Sequence, residues 1–307
     1  MLKAVIDIGS NSIKMRIANV VNDKIKVISD ETEVVKLGRG MAETGILSVD
    51  SMKNSCAAVA RMSAHAKKMH AKIYVVGTMA LRTAKNSDEF KKMVFEKTGL
   101  KINVFSGEDE AKYSWIGAVD GFEGDFCRAL MFDSGGGSTE FVSNTPSGDL
   151  KIASVPVGAV NLSERFFNEN DKPIKKIRVD EALEYTDSLL LENKINEFKS
   201  DLQKIIGVGG GIVAMASVKS ACEEFLPSKL HGSILTQNDI LRQINMYSSL
   251  TLKERENIIG LPKSRADVIL GSACIILAAL KILNAQSCIV SINGLRHGLL
   301  KSDIIIT

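Results

Sequence analysis

The sequence predicts an α/β protein built from two copies of one unit, and three observations carry that reading. A chain of 307 residues is long for a single hydrophobic core and comfortable for two domains. The opening run Ala4-Val5-Ile6-Asp7-Ile8-Gly9-Ser10-Asn11-Ser12 returns as Leu130-Met131-Phe132-Asp133-Ser134-Gly135-Gly136-Gly137-Ser138, with aspartate, glycine and serine at the same offsets. A weaker echo links Tyr74-Val75-Val76-Gly77-Thr78-Met79 to Ile206-Gly207-Val208-Gly209-Gly210-Gly211. Each of these places a glycine loop between an apolar strand and an alanine-rich helix.

Taken in order, Ala4 to Asp7 and Ile13 to Val20 read as two strands joined by a tight turn, and Lys26 to Val35 as a third strand. Ser48 opens a helix whose apolar positions Met52, Cys56, Val59, Ala66 and Met69 fall largely on one face. Ile73 to Val76 is a buried-type strand. Asn86 followed by Glu89 is a capping signal for a helix that Gly99 closes. Ile102 to Phe105 is another strand, and Ser106 caps the next helix. Ala266 to Leu283 reads as a buried core helix. The glycine-rich stretch Gly121 to Gly124 marks the boundary, giving domains 1–123 and 124–307, and the segment from about Gly294 is a candidate to pack back on the first domain.

The composition is 45% hydrophobic and 24% charged, as in ordinary globular proteins, and no apolar run approaches the length of a membrane span. The first residues run straight into a strand pattern, so no signal peptide is expected. Cysteines 56, 127, 222, 274 and 288 form no C-x-x-C pair and read as buried, reduced thiols of a cytoplasmic protein. A net charge of +3 gives no ground for nucleic-acid binding. The run Lys172, Lys175, Lys176 and Arg178 reads as a solvated loop that could help steer a polyanion. His65 and His70, five apart on a helix, do not share a face and do not suggest a metal site. Met52, Met62, Met69, Met79 and Met93 read as core filling.

Three loops rich in glycine and hydroxyl residues carry the chemistry: Asp7 to Ser12, Asp133 to Glu140, and Gly207 to Gly211. Without a Cβ in the way, successive backbone N–H groups can converge on one point and cradle phosphate oxygens, the more so at a helix N-terminus such as that after Gly211. One such loop is commonly just a tight turn. Three, each after an apolar strand, point to a ligand with several phosphates. Asp7 and Asp133 end their strands just before the turns, and Glu140 follows. Carboxylates beside a phosphate nest repel the ligand unless a cation intervenes, so a divalent ion is expected, Mg²⁺ with Mn²⁺ as the alternative.

These residues resemble the exopolyphosphatase/guanosine pentaphosphate phosphatase family. Asp7 to Ser12, Gly77-Thr78-Met79-Ala80-Leu81-Arg82-Thr83-Ala84 and Ser106-Gly107-Glu108-Asp109-Glu110-Ala111 match its first half. Asp133 to Glu140, Pro156-Val157-Gly158-Ala159-Val160-Asn161-Leu162, the 207–211 loop and Ser291-Ile292-Asn293-Gly294-Leu295-Arg296-His297-Gly298 match the second half in order. The resemblance implies duplicated ribonuclease-H-like domains of the actin/sugar kinase/heat-shock-protein-70 kind, with an active-site cleft between them. It also implies release of terminal orthophosphate from inorganic polyphosphate or guanosine pentaphosphate.

By the same resemblance Glu110 is the general base that activates water. Asp133 and Glu140 take positions associated with metal and with orienting that water, with Asp7 added to the metal set. Arg82 meets substrate phosphates, and Ser10, Asn11, Gly136, Gly137, Ser138, Gly209 and Gly210 line the phosphate loops. Many family members continue into further helical domains, whereas this sequence stops soon after Gly298 and looks like the two-domain form. Two other readings share the loops around Asp7 and Asp133: an ATP-dependent small-molecule kinase, and an actin-like nucleotide-binding protein. Ser106-Gly107-Glu108-Asp109-Glu110-Ala111 favours the phosphatase. Neither a nucleic-acid nor a membrane partner is expected, and a homodimer stays open.

Overall fold

The computed structural model describes residues 2–22, 24–124, 126, 128–144, 149–168, 171–198, 202–222, 224 and 226–302. Cys127 lies outside them. By its contacts the chain divides into two units, Met1–Gly117 with Asn293–Thr307, and Ala118–Ile292. The boundary between the units falls a few residues earlier than expected, and the C-terminal segment joins the first unit as the sequence suggested. The chain changes unit at Gly117, ahead of the Gly121 to Gly124 stretch, and the segment from Asn293 onward belongs to the first unit.

The first unit holds a five-stranded sheet in the order β3-β2-β1-β4-β5, formed by β1 (Leu2–Ile8), β2 (Ser12–Val21), β3 (Lys24–Val34), β4 (Lys72–Gly77) and β5 (Asn103–Val104). β1 and β2 form an antiparallel hairpin, while β4 joins β1 in parallel. The second unit repeats the arrangement with β6 (Ala129–Ser134), β7 (Thr139–Asn144), β8 (Leu150–Val155), β9 (Lys204–Val208), β10 (Ile234–Thr236) and β11 (Ser287–Val290). Its order is β10-β11-β9-β6-β7-β8. Counted from β6, strands 3-2-1-4-5 recur, and β10 is an added antiparallel edge. Both sheets therefore have the ribonuclease-H-like order, and the duplication seen in the sequence is a duplication of fold.

Each central strand is buried on both faces, which is why it reads as a nearly unbroken apolar run. In β1, Ala4, Ile6 and Ile8 join Ile13, Met15 and Ile17 of β2 and pack against Met52, Val59 and Met62 of the helix Val49–Lys68. Val5, on the opposite face, packs with Leu295, Leu299 and Leu300 of the helix Leu295–Lys301. In the second unit Leu130, Phe132 and Phe141 meet the helix Ile269–Ile282, which is buried from Ile269 to Leu280. That helix starts later than expected, because Lys263–Arg265 forms a separate 3₁₀ turn before it. No helix among the described residues is long and apolar enough to cross a membrane.

The end signals hold in most cases. The Ser48 hydroxyl accepts from the Ser51 amide at 3.2 Å, the Ser106 hydroxyl accepts from the Asp109 amide at 3.0 Å, and Gly99 closes its helix. Asn86 is different. It stands at the N-cap position of Ser87–Thr98, but its side chain bonds the amide and carbonyl of Leu47, at 2.8 and 3.0 Å, and so ties down a loop.

Polar bonds anchor the last helix to the sheet. Arg16 of β2, 6% exposed, donates to Asp30 Oδ2 from Nε at 2.8 Å and from Nη2 at 2.6 Å. Its Nη1 reaches Asn293 Oδ1 at 3.1 Å and lies 3.2 Å from His297 Nδ1, and Arg296 pairs with the other oxygen of Asp30. One carboxylate thus holds two arginines. Replacing Asp30 with Ala strands the buried Arg16 charge. We expect a loss of about 2–3 kcal/mol, below the 3–5 typical of a fully buried pair because Asp30 keeps some solvent contact. Equilibrium denaturation in urea measures it, and unchanged stability would show that the network contributes nothing.

Candidate active site

The tips of the two hairpins are built alike. Ser10 and Asn11 form the first tip, closed by the Gly9 amide donating to the Ser12 carbonyl at 3.1 Å. Gly136 and Gly137 form the second, where the Gly135 amide donates to the Ser138 carbonyl at 2.9 Å. In each unit the segment after the third strand then bonds the carbonyls of the tip. The amides of Val35 and Lys36 donate to Asn11 O, and that of Gly38 to Ser10 O. The amides of Ala159 and Val160 donate to Gly135 O and Gly136 O, and Asn161 Nδ2 donates to Gly137 O at 2.9 Å. With the carbonyls fixed on one side, the amides of the tip are presented on the other, which is the requirement for an anion nest.

This clasp was legible but overlooked. Val35-Lys36-Leu37-Gly38 and Val155-Pro156-Val157-Gly158 echo each other just after equivalent strands. A Cβ on Gly158 would stand 2.4 Å from Gly136 C and Gly137 N, so only glycine permits the approach. Ser10, Asn11 and Ser138 are buried at 6%, 7% and 4% exposure. Among the described residues neither Asn11 Nδ2 nor Asn11 Oδ1 has a hydrogen-bond partner. A buried carboxamide with both ends unsatisfied calls for a ligand or water to complete it.

The aspartates that precede the tips differ in what faces them. Asp133 sits directly opposite Glu140 across β6 and β7, and Asp7 sits opposite Lys14 across β1 and β2. Like charges in opposing positions are unfavourable unless something intervenes. Glu140 is 2% exposed and accepts from the Ser154 hydroxyl at 2.9 Å. Two adjacent carboxylates beside a glycine loop are a donor set suited to a hard divalent cation that draws its remaining ligands from phosphate and water. Asp7 already faces a cation. Burial pushes its pKa up, and Lys14 and Arg296 pull it back, while among the described residues its Oδ1 lacks a hydrogen-bond partner. Among the described residues no three His, Cys, Asp or Glu are gathered to hold an ion, so the expected set Asp7, Asp133 and Glu140 is not a ready-made cage.

In the first unit Arg82 and Glu110 meet. Arg82 Nη1 donates to Glu110 Oε2 at 3.1 Å and to the Phe105 carbonyl at 2.9 Å, with side chains 25% and 14% exposed. The sequence reading gave these residues separate duties, and the structure makes them partners. Glu110 lies in the first turn of the helix Gly107–Val119, where the dipole favours a carboxylate.

The third loop holds a residue that the sequence reading missed. Gly209 caps the helix Gly210–Lys219, and a Cβ on it would come 3.3 Å from Asp133 Oδ1. A Cβ on Gly210 would stand 1.9 Å from Arg265 Nη2 and 2.2 Å from its Cζ, so the Arg265 guanidinium lies directly on the loop. Burial lowers its pKa from the ordinary arginine value, and Asp267 opposes the shift. Lys263-Ser264-Arg265 looks like any polar turn, and only the tertiary fold shows where Arg265 goes. The thiols offer no competing chemistry. Cys56, Cys222, Cys274 and Cys288 are buried and unpaired, and burial pushes Cys274 and Cys288 up to about 12.

Glycine-rich hairpin tips, a carboxylate pair and an arginine-held glutamate thus stand on two ribonuclease-H-like units. The sequence profile of the Ppx/GppA phosphatase family matches residues 16–305, and the chain belongs to that family. It is 32% identical over 305 residues to a "Bifunctional 3-dehydroquinate synthase/phosphatase" of Fusobacterium nucleatum, covering 95% of this chain and 45% of that one. It is 29% identical to a "Putative exopolyphosphatase" of Haemophilus influenzae, covering 97% and 90%. A "Guanosine-5'-triphosphate,3'-diphosphate pyrophosphatase" of Vibrio atlanticus is 27% identical, and this chain spans 58% of its length. The crystal structure of the Aquifex aeolicus Ppx/GppA family member superposes with a TM-score of 0.79 at 30% identity, covering 99% of this chain and 97% of that one. The chain therefore spans about half the length of some relatives and nearly all of others.

Two glycine substitutions separate the roles of the loops. Gly158→Ala forces backbone against backbone and is expected to cost about 1–3 kcal/mol of stability together with phosphate-ester or anhydride turnover. Gly210→Ala meets only the end of a long side chain, so it should displace Arg265, raise KM and leave the melting temperature nearly unchanged. Kinetics and a melting curve on each variant check both outcomes, and identical profiles would refute the distinction.

Proposed function

We propose that this chain is a phosphohydrolase that releases terminal orthophosphate from inorganic polyphosphate or guanosine pentaphosphate. The observation that carries the reading is the Glu110 carboxylate, held by Arg82 at 3.1 Å within a unit whose hairpin tip presents a phosphate nest. A carboxylate fixed in this way can take a proton from water. The names of the relatives favour hydrolysis over the kinase and actin-like alternatives. A cytoplasmic setting belongs to the same proposal, in keeping with the buried, unpaired thiols, and so does a homodimer.

In this mechanism the tip amides at Ser10, Asn11, Gly136, Gly137 and Ser138, and the loop at Gly209 and Gly210, hold the phosphate oxygens. Arg82 orients Glu110 through Nη1, and its other donors supply the phosphate contact expected of it. Glu110 removes a proton from water as the water oxygen bonds to the terminal phosphorus. The bridging P–O bond breaks, and the shortened chain leaves with the electron pair. The transition state of such transfers is loose, so positioning and charge neutralisation supply most of the rate. Mg²⁺, or Mn²⁺ in its place, would be held by Asp133 and Glu140, with Asp7 in the role its motif gives it, and would neutralise charge on the phosphates.

Two measurements test this. Glu110→Gln keeps shape and a hydrogen bond to Arg82 but loses proton acceptance, and should lower kcat by about 10²–10⁴-fold with little change in KM or melting temperature. A near-parental kcat would remove Glu110 from the chemistry. Excess chelator should abolish phosphate release from tripolyphosphate and from guanosine pentaphosphate, and added Mg²⁺ should restore it. Full turnover in chelator would refute a role for the carboxylate pair in holding a cation.

A further inference from the structure

Arg255 heads the largest fully buried side chains of the protein, at 0% exposure. It ends the short helix Leu252–Arg255, which Thr251 and Glu254 open with a reciprocal cap. A guanidinium taken wholly out of water is normally matched by a carboxylate that satisfies its fork. Here Nη1 donates to the Ala266 carbonyl at 3.1 Å, and among the described residues Nε and Nη2 have no hydrogen-bond partner.

The location of that one bond gives it meaning. Ala266 directly follows Arg265, the residue whose guanidinium rests on Gly210. The turn between them is short. The Arg265 amide donates to the Pro262 carbonyl at 2.8 Å, that of Ala266 to Lys263 at 3.2 Å, and that of Val268 to Arg265 at 3.0 Å. Beyond Val268 begins the rigid buried helix Ile269–Ile282. Arg255 therefore grips the turn at the carbonyl of the residue that follows Arg265. Electrostatically, Asp267 is the carboxylate within range of both arginines, and burial lowers the pKa of each. Two buried guanidinium groups thus share Asp267 as a neighbour beside the third glycine loop, whose Gly209 also lies close to the Asp133 carboxylate.

We propose that Arg255 is a positioning residue for the third loop: it holds the turn 262–268 so that Arg265 stays seated on Gly210. This rests on the reading of that loop as a phosphate contact. A merely structural arginine in the same place would affect stability without acting through Arg265.

A double-mutant cycle separates the two. Arg255→Met and Arg255→Lys are each made alone and combined with Arg265→Ala in the full chain. The KM for tripolyphosphate, thermal stabilisation by tripolyphosphate and the unliganded melting temperature are then measured. Arg255→Met should raise KM about 10- to 100-fold, as expected for losing a charged hydrogen bond that organises a site. Arg255→Lys, which keeps the charge but not the fork, should raise it less. In the Arg265→Ala background neither change should raise KM further by more than about twofold, because the group it positions is already gone. Effects that multiply in that background, or a lower melting temperature with unchanged KM, would overturn the proposal. If Arg255→Met does not fold, the Arg255→Lys cycle decides by the same criteria. A parental protein neither stabilised by tripolyphosphate nor able to hydrolyse it would instead sink the phosphohydrolase reading itself.

Discussion

In a trans peptide group the C=O and the N–H project to opposite sides, and the two hairpin tips are organised around that constraint. In each unit the segment after the third strand satisfies the carbonyls of the hairpin tip from behind. The amides are then committed to the opposite side before any ligand arrives. The backbone there is fixed by its own hydrogen bonds, and preorganised dipoles of this kind are the effective ones for stabilising charge. The close approach depends on a missing side chain at Gly158, and on the rigid sheets that hold strand ends and loops in register.

Duplication supplies two such nests but does not make them equivalent. The residue facing the strand-end aspartate is Lys14 in one unit and Glu140 in the other. One substitution of charge at a matched position gives one half an internal cation and leaves the other half a pair of anions. Asp7 thus has a cation across the hairpin, while Asp133 has a second carboxylate across its own. Duplicated folds are suited to such a division of labour, because the backbone can be kept while the charge at one register position is changed.

Much of this was legible in the sequence, for definite reasons. The two hairpins showed because aspartate, glycine and serine recur at fixed offsets, and the helix ends showed because Ser48, Ser106 and Gly99 act locally. What stayed hidden depends on distance in space. Asn86 sits at its predicted cap position, yet its amide serves Leu47. Arg82 and Glu110 were each singled out, but their bond joins residues 28 apart and leaves no trace in either motif. Arg265 was invisible, since a polar turn before an apolar helix looks the same whether its arginine faces water or lies on a glycine loop. The unit boundary was misread for a similar reason, because composition marks a flexible stretch and not the place where contacts change partner.

The discontinuity of the first unit has a consequence for biosynthesis. Its last helix, Leu295–Lys301, supplies Leu295, Leu299 and Leu300 to one face of β1 and β2, and Arg296 to Asp30. That helix is translated only after the whole of the second unit. During synthesis the N-terminal sheet therefore leaves the ribosome without Leu295, Leu299 and Leu300 beside Val5, and without Asn293 and Arg296 beside Arg16 and Asp30. Domains usually mature in the order in which they are made. Here the first to emerge is the last to be finished.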